Sequence, residues 1–382
     1  MLMTVYFDNS ATTKVCAEAI DAMMQVMRTD FGNPSSTHEL GRSARKLLEE
    51  ARGFIAGVIG SMKDEIFFTS GGTEADNWAI LGSAELMRHK GKHIITTAIE
   101  HDAVIKTAER LKAKGWDVTY LMPDPVTGRV SSADVEGALR DDTVLVSVML
   151  VNNETGAVNP ISQISEVLKR RGSAAILHTD AVQALCKIPF SPKTLGADLI
   201  TVSSHKIHGP KGAGALYIKK GLRLPPFLTG GGQEGGYRSG TEPIPAICGF
   251  AAAAVVGAKD INANAKHMRE IRAQIVKTLG ERLDGIRFIG KGDAPHILSL
   301  SLPGYKSEVI MNCLDADGIC VSKSSACKKG GRSHVLEAMK LPYDVIDGAI
   351  RVSLCTENTA EEAEYFCEKL IYAAQRLRKA LK

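Results

Sequence analysis

The sequence of 382 residues lacks the features that define several classes of protein. Its eight cysteines are scattered without a Cys-x-x-Cys pair, which argues against a disulfide framework and a local zinc site. The first ten residues contain Asp8 and no basic segment followed by an apolar core, so they do not read as a secretory signal. The longest apolar stretch, 247–258, contains two glycines and is too short to span a bilayer. We therefore expect a cytoplasmic protein with no membrane contact and no bound metal.

Aromatic residues and excess charge are also scarce. Aromatic residues make up 5% of the chain, and its formal net charge is only +4. No long basic run is interleaved with aromatic residues, so we expect no direct nucleic-acid ligand. The chain does have 44% hydrophobic and 24% charged residues, which is typical of a globular protein. Its length suffices for one large core and a second, smaller one.

Short apolar runs alternate with segments of helical periodicity in the first half of the chain. The runs are 66–68, 93–97, 118–121, 144–151, 175–177 and 198–202. This alternation predicts an α/β fold with a mainly parallel sheet covered on both faces, whose ligands bind at the carboxyl ends of the strands. The later sequence predicts a return strand at 214–218, helices at 247–258, 265–283, 307–316, 334–339 and 359–377, and strands at 297–301 and 350–354.

The segment Ser-Ser-His-Lys at 203–206 follows one of these strands and precedes a glycine-rich turn. A lysine on a rigid strand end could condense with an aldehyde, while neighbours such as Ser203 and His205 hold an anionic group. That combination suggests Lys206 as a pyridoxal phosphate lysine. The ordinary alternative is a solvated lysine before a turn.

The preceding strand ends in a carboxylate, Asp180. Pyridoxal catalysis needs an acid beside the pyridine nitrogen, so that the ring can accept electrons, and Asp180 could supply it. His178 lies two residues back on the same strand face, and Gln183 could reach a ring oxygen from the turn. The alternative is a strand-ending aspartate that caps the next segment.

A glycine-containing turn at 70–73 leads from a strand into a helix. Gly72 lets the backbone approach an anion, Thr73 adds a hydroxyl, and the free amides of the first helical turn point towards it. The spacing is not that of a Walker loop. A plain helix-capping turn is the alternative.

These motifs belong to a series that spans nearly the whole chain. The others are YFDNSATT (6–13), FGNPSS (31–36), SGGTEADN (70–77), EH (100–101), VNNE (151–154), GGGQE (230–234), RSGT (238–241) and SAC (325–327). Together they resemble the pyridoxal phosphate enzymes of the class V aminotransferase family, specifically cysteine desulfurases. The resemblance implies fold type I, with a large cofactor-binding domain over 15–257 that has a seven-stranded-type sheet. A smaller α+β domain over 258–382, together with 1–14, would carry the catalytic cysteine loop.

The resemblance also assigns roles to further residues. It implies that His101 stacks on the pyridine ring, that Asn153 contacts cofactor and substrate, and that Arg351 makes a forked contact to the substrate carboxylate. It implies that Thr241 reaches the cofactor phosphate of the partner subunit in a homodimer. The resemblance does not change the roles given above for seven residues: Lys206, Asp180, Gln183, Ser203, His205, Gly72 and Thr73.

The reaction itself depends on Cys327, in a polar, glycine-containing loop. Four cationic side chains within ten residues favour its thiolate form: Lys323, Lys328, Lys329 and Arg332. Cysteine desulfurases commonly have Ser-Ser-Gly-Ser-Ala-Cys here, whereas this chain has Lys323 and Ser324 in place of Ser-Gly. The segment from Cys327 to Val335 is also about two residues shorter than in that family.

The resemblance implies conversion of L-cysteine to L-alanine, with the sulfur held as a persulfide on Cys327. An acceptor or scaffold protein would receive it for iron–sulfur cluster assembly or RNA thiolation. One alternative is another class V enzyme, an aminotransferase or a selenocysteine lyase. A second is a non-catalytic regulatory paralogue whose altered cysteine loop docks partners.

Overall fold

The computed structural model describes residues 4–323 and 331–380, without the side chains of 378–380. The strands are β1 (Val5–Tyr6), β2 (Ile66–Thr69), β3 (His93–Thr97), β4 (Asp117–Leu121), β5 (Thr143–Ser147), β6 (Ile176–Asp180), β7 (Leu199–Ser203), β8 (Gly214–Ile218), β9 (Arg287–Ile289), β10 (Ile297–Ser301), β11 (Ile319–Cys320), β12 (Ser322–Lys323) and β13 (Ala349–Ser353). The helices are α1 (Ala17–Thr29), α2 (Glu39–Ile59), α3 (Gly72–Met87), α4 (Asp102–Lys112), α5 (Ser132–Ala138), α6 (Ile161–Arg170), α7 (Pro192–Leu195), α8 (Ile244–Ala258), α9 (Ile261–Arg282), α10 (Ser307–Ala316), α11 (His334–Ala338), α12 (Tyr343–Asp347) and α13 (Ala360–Ala380).

The large sheet has the strand order β2-β8-β7-β6-β5-β3-β4. β4, β3, β5, β6 and β7 run parallel, and β8 is antiparallel to both β7 and β2. The residues of β3, β5, β6, β7 and β8 are buried throughout, as continuous apolar strands covered on both faces should be. This confirms the mainly parallel α/β fold expected from the alternation of strands and helices.

A second, antiparallel sheet has the order β12-β13-β10-β9 and packs its own hydrophobic cluster against α9, α10 and α13. The first residues of the chain join this part of the molecule, because β1 pairs with β11 and Phe7 is buried beside Phe366. Asp8 forms an isolated bridge with Ser353. This pairing is compatible with grouping residues 1–14 with 258–382, a division that remains a prediction.

The two largest differences from the expected element boundaries are of four residues each. The strand expected at 144–151 ends at Ser147: Val148 and Leu150 N–H still donate to β6 carbonyl oxygens, but Met149 N–H donates to the Glu100 carboxyl group over 2.9 Å. The helix expected from residue 265 begins at Ile261, where the Asp260 side chain caps it by accepting a hydrogen bond from Ala263 N–H at 2.9 Å. In both places a side-chain hydrogen bond overrides the hydrophobic pattern.

Among the described residues, no single helix is long and apolar enough to cross a membrane. Only α8 and α9 taken together reach that length and hydropathy, and they are bent by 74° at the break between them.

Candidate active site

A cavity of about 310 Å³ lies at the carboxyl ends of the central strands. It brings together ten of the sequence-predicted residues: Gly72, Thr73, His101, Asn153, Asp180, Gln183, Ser203, His205, Lys206 and Arg351. Two sides of it differ in construction. We call the side formed by Gly72, Asp76, Asp180, Ser203 and Lys206 the sheet wall. We call the side formed by Asn153, Glu154, His334 and Arg351 the arginine edge.

Lys206 lies in a single 3-10 turn, Ser204–Lys206, directly after β7. Its Nζ donates hydrogen bonds to the carbonyl oxygens of Ser10 and Ala11 at 2.6 Å and 2.7 Å. The turn is itself tied to the N-terminal segment, since Thr13 N–H donates to the His205 carbonyl at 2.9 Å. The ammonium group is therefore held at the cavity surface by backbone from the start of the chain.

Asp180 ends β6, the strand next to the one that leads to Lys206. Its Oδ1 accepts a hydrogen bond from Val182 N–H at 2.8 Å, which fixes the carboxyl group at the strand end. Burial raises the pKa of Asp180, while His101, the Val182 amide and Lys206 act in the opposite direction. A cationic group brought against it would favour the carboxylate form.

The two predicted imidazoles are oriented by local hydrogen bonds. His101 caps α4, and its Nδ1 accepts from Ala103 N–H at 3.1 Å, so its Nε2 carries the proton in the neutral ring. His205 Nδ1 lies 3.2 Å from Thr12 Oγ1. Burial, then the charges of Lys206 and Lys211, lower the pKa of His205 to about 4, so its ring is neutral near pH 7.

The start of α3 and the end of β7 form a corner of the cavity. α3 begins at Gly72, where a Cβ atom would lie 2.8 Å from Val182 Cγ2 and would force that side chain to shift. Ser203 Oγ is buried and has no hydrogen-bond partner among the described residues. A hydroxyl donor, a helix N-terminus and a close backbone approach together suit a phosphate group. Lys206 and Asp180 on the same wall suit the rest of pyridoxal phosphate, so these residues fit that cofactor.

The arginine edge is fixed from two distant parts of the chain. Arg351 on β13 is 2% exposed, and its NH1 and NH2 groups donate to the Asn153 carbonyl at 2.8 Å and to Asp8 Oδ1 at 3.0 Å. Its Nε is buried and has no acceptor among the described residues. Two of the five guanidinium N–H donors are therefore held by the protein, and Arg351 lines the cavity with further donors that have no partner among the described residues.

The cavity also contains ionisable groups to which the sequence analysis gave no role. Asp76, Glu100 and Glu154 are buried, and burial raises the pKa of Glu100 and of Glu154 to about 8. All three lie within motifs that carry the family resemblance, and those motifs could have identified them from the sequence. His334 had no such signal; its Nε2–H donates to the Glu100 carbonyl at 3.0 Å.

Two predicted positions, His178 and Thr241, do not line the cavity, and Gln183 lines it with a contact other than the predicted one. Gln183 lines it, but its Nε2 donates to the Ser10 carbonyl at 3.0 Å, whereas the sequence suggested contact with a ring oxygen. His178 lies behind the wall, with Nδ1 2.8 Å from Ser147 Oγ. Thr241 is exposed and does not line the cavity; its predicted role concerns the partner subunit. Cys327 lies outside the described residues.

Comparisons with known proteins agree with this architecture. The model of the family "Aminotransferase class-V" matches residues 5–366. A protein of Methanosarcina thermophila named cysteine desulfurase IscS is 40% identical over 378 residues, covering 98% of this chain and 93% of that protein.

Solved structures give the same result. A structure entitled NifS-like protein is 39% identical, with a TM-score of 0.92 over 98% of this chain and all of that one. A structure entitled SspA in complex with cysteine is 32% identical, with a TM-score of 0.82 over 93% of this chain and all of that one. By fold, cavity and similarity over nearly its full length, the chain belongs to the pyridoxal-phosphate-dependent class V aminotransferase family, and within it to the cysteine desulfurases.

Proposed function

We propose that this chain binds pyridoxal phosphate at Lys206 and uses it to convert L-cysteine to L-alanine. The observation that carries the proposal is that Lys206 and Asp180, at the ends of adjacent strands, share one cavity with Arg351. A lysine, a ring-nitrogen acid and a carboxylate-binding guanidinium are what a pyridoxal enzyme acting on an amino acid requires.

The sheet wall would hold the cofactor. Ser203, His205 and the first turn of α3 with Gly72 and Thr73 would bind its phosphate, and His101 would cover its ring. When bound, pyridoxal phosphate supplies an electron sink for negative charge that develops at the substrate Cα. Asp180 would hold a proton at the ring nitrogen, because a carboxylate favours an adjacent cation in a buried site.

Lys206 would move protons at the substrate Cα. Its Nζ is held between the Ser10 and Ala11 carbonyl oxygens, and these acceptors orient an ammonium group at the cavity surface. The amine form is the base and the ammonium form is the acid, so one side chain serves both directions of transfer.

Arg351 would bind the α-carboxylate of L-cysteine. The Asn153 and Asp8 contacts fix the plane of the guanidinium group, and its remaining N–H donors would bind an incoming carboxylate. Because Asp8 belongs to the N-terminal segment that also holds Lys206 through Ser10 and Ala11, one segment positions both groups.

Cys327 would receive the sulfur. Its thiolate would attack the substrate sulfur, forming an S–S bond as the substrate Cβ–S bond breaks and its electron pair stays on the carbon skeleton. Protonation of that carbon skeleton then yields alanine, and the protein keeps a persulfide.

Two of the four cations that the sequence places near Cys327 form ion pairs in the structure. Lys323 Nζ pairs with Glu308 Oε1 at 2.6 Å, and Arg332 Nε pairs with Asp347 Oδ1 at 2.7 Å.

The remaining parts of the proposal concern partners and location. A homodimer in which Thr241 completes the partner subunit's phosphate site, a sulfur-accepting protein and a cytoplasmic location follow from the family resemblance. Cross-linking and sedimentation of the purified protein test the dimer separately from the chemistry.

The decisive experiment incubates purified protein with pyridoxal phosphate, L-cysteine and a thiol reductant. We expect a yellow protein that releases alanine and sulfide in equal amounts. A parallel reaction with a 2-keto acid tests amino-group transfer, and one with L-selenocysteine tests selenide release. Amino transfer without sulfide release, or no turnover by a cofactor-loaded protein, would contradict the proposal.

A further inference from the structure

Asp76 is a buried carboxyl group on the sheet wall, one helical turn after Gly72. It is 1% exposed, and its Oδ1 has no hydrogen-bond partner among the described residues. His178 Nε2 lies 3.6 Å from Asp76 Oδ1. An ionised carboxylate in such a place would need a close partner, since burial of an unpaired charge is very costly.

His178 does not act as that cationic partner. It is fully buried, with Nδ1 2.8 Å from Ser147 Oγ and Nε2 3.1 Å from Thr201 Oγ1, so hydroxyl groups satisfy both ring nitrogens. Burial lowers the pKa of His178 to about 3, which leaves the ring neutral. The Asp76 to His178 contact is therefore not an ion pair.

The other acidic groups around Asp76 make a negative charge on Asp76 still less favourable. Burial raises the pKa of Asp76 most, Asp180 on β6 and Glu100 in the turn after β3 raise it further, and a hydrogen bond with Thr201 acts in the opposite direction. Asp102 of α4 lines the same cavity, as do the cationic Lys206 and the imidazole of His101. Strands β2, β5 and β7 carry no ionisable residue, and Tyr217 on β8 lies 3.4 Å from Glu65 through its hydroxyl.

We propose that Asp76 is a positioning residue that stays in its neutral acid form, so that Asp180 alone carries the negative charge of the sheet wall. Asp180 and Thr201 are opposite each other on β6 and β7, and Thr201 contacts the same His178 nitrogen that faces Asp76. These contacts keep the proton of Asp76 behind Asp180, the carboxyl group that would face the ring nitrogen of the cofactor. The inference rests on the proposed role of Asp180.

The first test uses the cofactor-free protein and compares Asp76→Asn with the unmodified chain from pH 5 to 8.5. Above the ordinary pKa of aspartate, the Asp76 carboxyl group loses its proton in the unfolded chain but keeps it in the folded chain. Asp76 thus makes the unmodified protein lose stability as pH rises towards its raised pKa, and the Asn variant lacks this contribution. We expect the Tm of Asp76→Asn to gain roughly 2 °C per pH unit relative to the unmodified protein.

Ser83→Ala is the matched control, because Ser83 is also buried and unpartnered on α3 but carries no ionisable group. Its Tm offset should be the same at every pH. If Asp76→Asn does not fold, Asp76→Ser, with a smaller neutral side chain, replaces it. The proposal is overturned if the Tm of the Asp76 variant minus that of the unmodified protein stays constant, or falls, as pH rises.

The second test titrates the absorption band of bound pyridoxal phosphate. Asparagine mimics a neutral acid, so the midpoint for Asp76→Asn should match that of the unmodified protein below pH 8. If Asp76 were charged, its loss would remove a negative charge near the protonated cofactor and lower the midpoint by about one pH unit or more, which overturns the proposal. A chain that takes up no cofactor would refute the proposed function, whereas the cofactor-free Tm comparison would still decide the state of Asp76.

Discussion

The sheet wall and the arginine edge of the same cavity are built from the sequence in different ways. The wall collects residues at the ends of adjacent strands and at the start of the helix that packs on them. The edge joins Arg351 of β13 to Asp8, 343 positions earlier, and to the backbone of Asn153. The sheet wall is therefore formed by one sheet, whereas the arginine edge depends on how the second sheet and the N-terminal segment pack against the first sheet.

The two sides also differ in how they treat charge. On the wall, burial raises the pKa of Asp76 and Asp180, so the isolated protein disfavours their charged forms. On the edge, the Arg351 guanidinium group forms an ion pair with Asp8 at 3.0 Å. We infer that the wall is suited to a cationic ring and the edge to an anionic substrate group.

The largest effect should come from removing Lys206. Lys206→Ala should abolish covalent attachment of the cofactor and lower turnover by about 10³-fold or more, because proton transfer loses its only assigned group. Borohydride reduction and peptide mapping of the unmodified protein should label Lys206. Lys211→Ala, which changes a lysine in the following turn, should keep that label. A label on Lys211 would contradict the assignment.

Loss of the nucleophile should separate binding from sulfur transfer. Cys327→Ser should still bind cysteine with a spectral change and yet yield no protein-bound persulfide, since serine cannot form one. Mass spectrometry after exposure to L-cysteine measures the persulfide. Cys313→Ser is the control and should retain it. A persulfide on Cys313, Cys320 or Cys355 of the unmodified protein would place the sulfur elsewhere.

On the wall, Asp180→Ala should depress turnover about 10²- to 10⁴-fold while the cofactor can still attach to Lys206. The physical reason is that the ring nitrogen loses the carboxylate that favours its protonated form. Cofactor content and turnover, measured on the same sample, separate the two effects. Normal turnover would show that another acid, such as Glu100, serves the ring nitrogen.

The contrast between the sheet wall and the arginine edge explains which parts of the site could be predicted from the sequence. Apolar strands with polar ends predicted the sheet, and the rule that ligands bind at carboxyl ends placed Asp180, Ser203 and Lys206 together. The Arg351 role depended on resemblance alone, because no periodicity reports that Asp8 would bond to it. Likewise the ion pairs Lys323–Glu308 and Arg332–Asp347 are tertiary contacts, which a count of cations along the sequence does not reveal.

At the edge, Arg351→Lys should raise the KM for cysteine about 10- to 100-fold with little change in cofactor content. Lysine keeps the charge but loses the planar fork, so the effect isolates the forked geometry. Arg351→Ala should be worse, because it also leaves Asp8 without its partner. Saturation curves at fixed cofactor occupancy give the comparison. An unchanged KM in the Lys variant would return Arg351 to a purely structural role.

The smallest effect should come from Asp8→Asn, which tests whether the edge needs its second segment. The amide oxygen of asparagine can still accept from Arg351 NH2, so the hydrogen bond at 3.0 Å is retained while the charge is lost. Because an uncompensated Arg351 attracts an incoming carboxylate more strongly, the KM for cysteine should fall about 2- to 5-fold, the effect of one partly exposed ion pair. Asp8→Ala removes both charge and hydrogen bond, and a freed guanidinium should raise KM instead. Opposite signs in the two variants would show that Asp8 acts mainly by orientation, whereas equal increases would mean that its charge is needed to hold Arg351 in place.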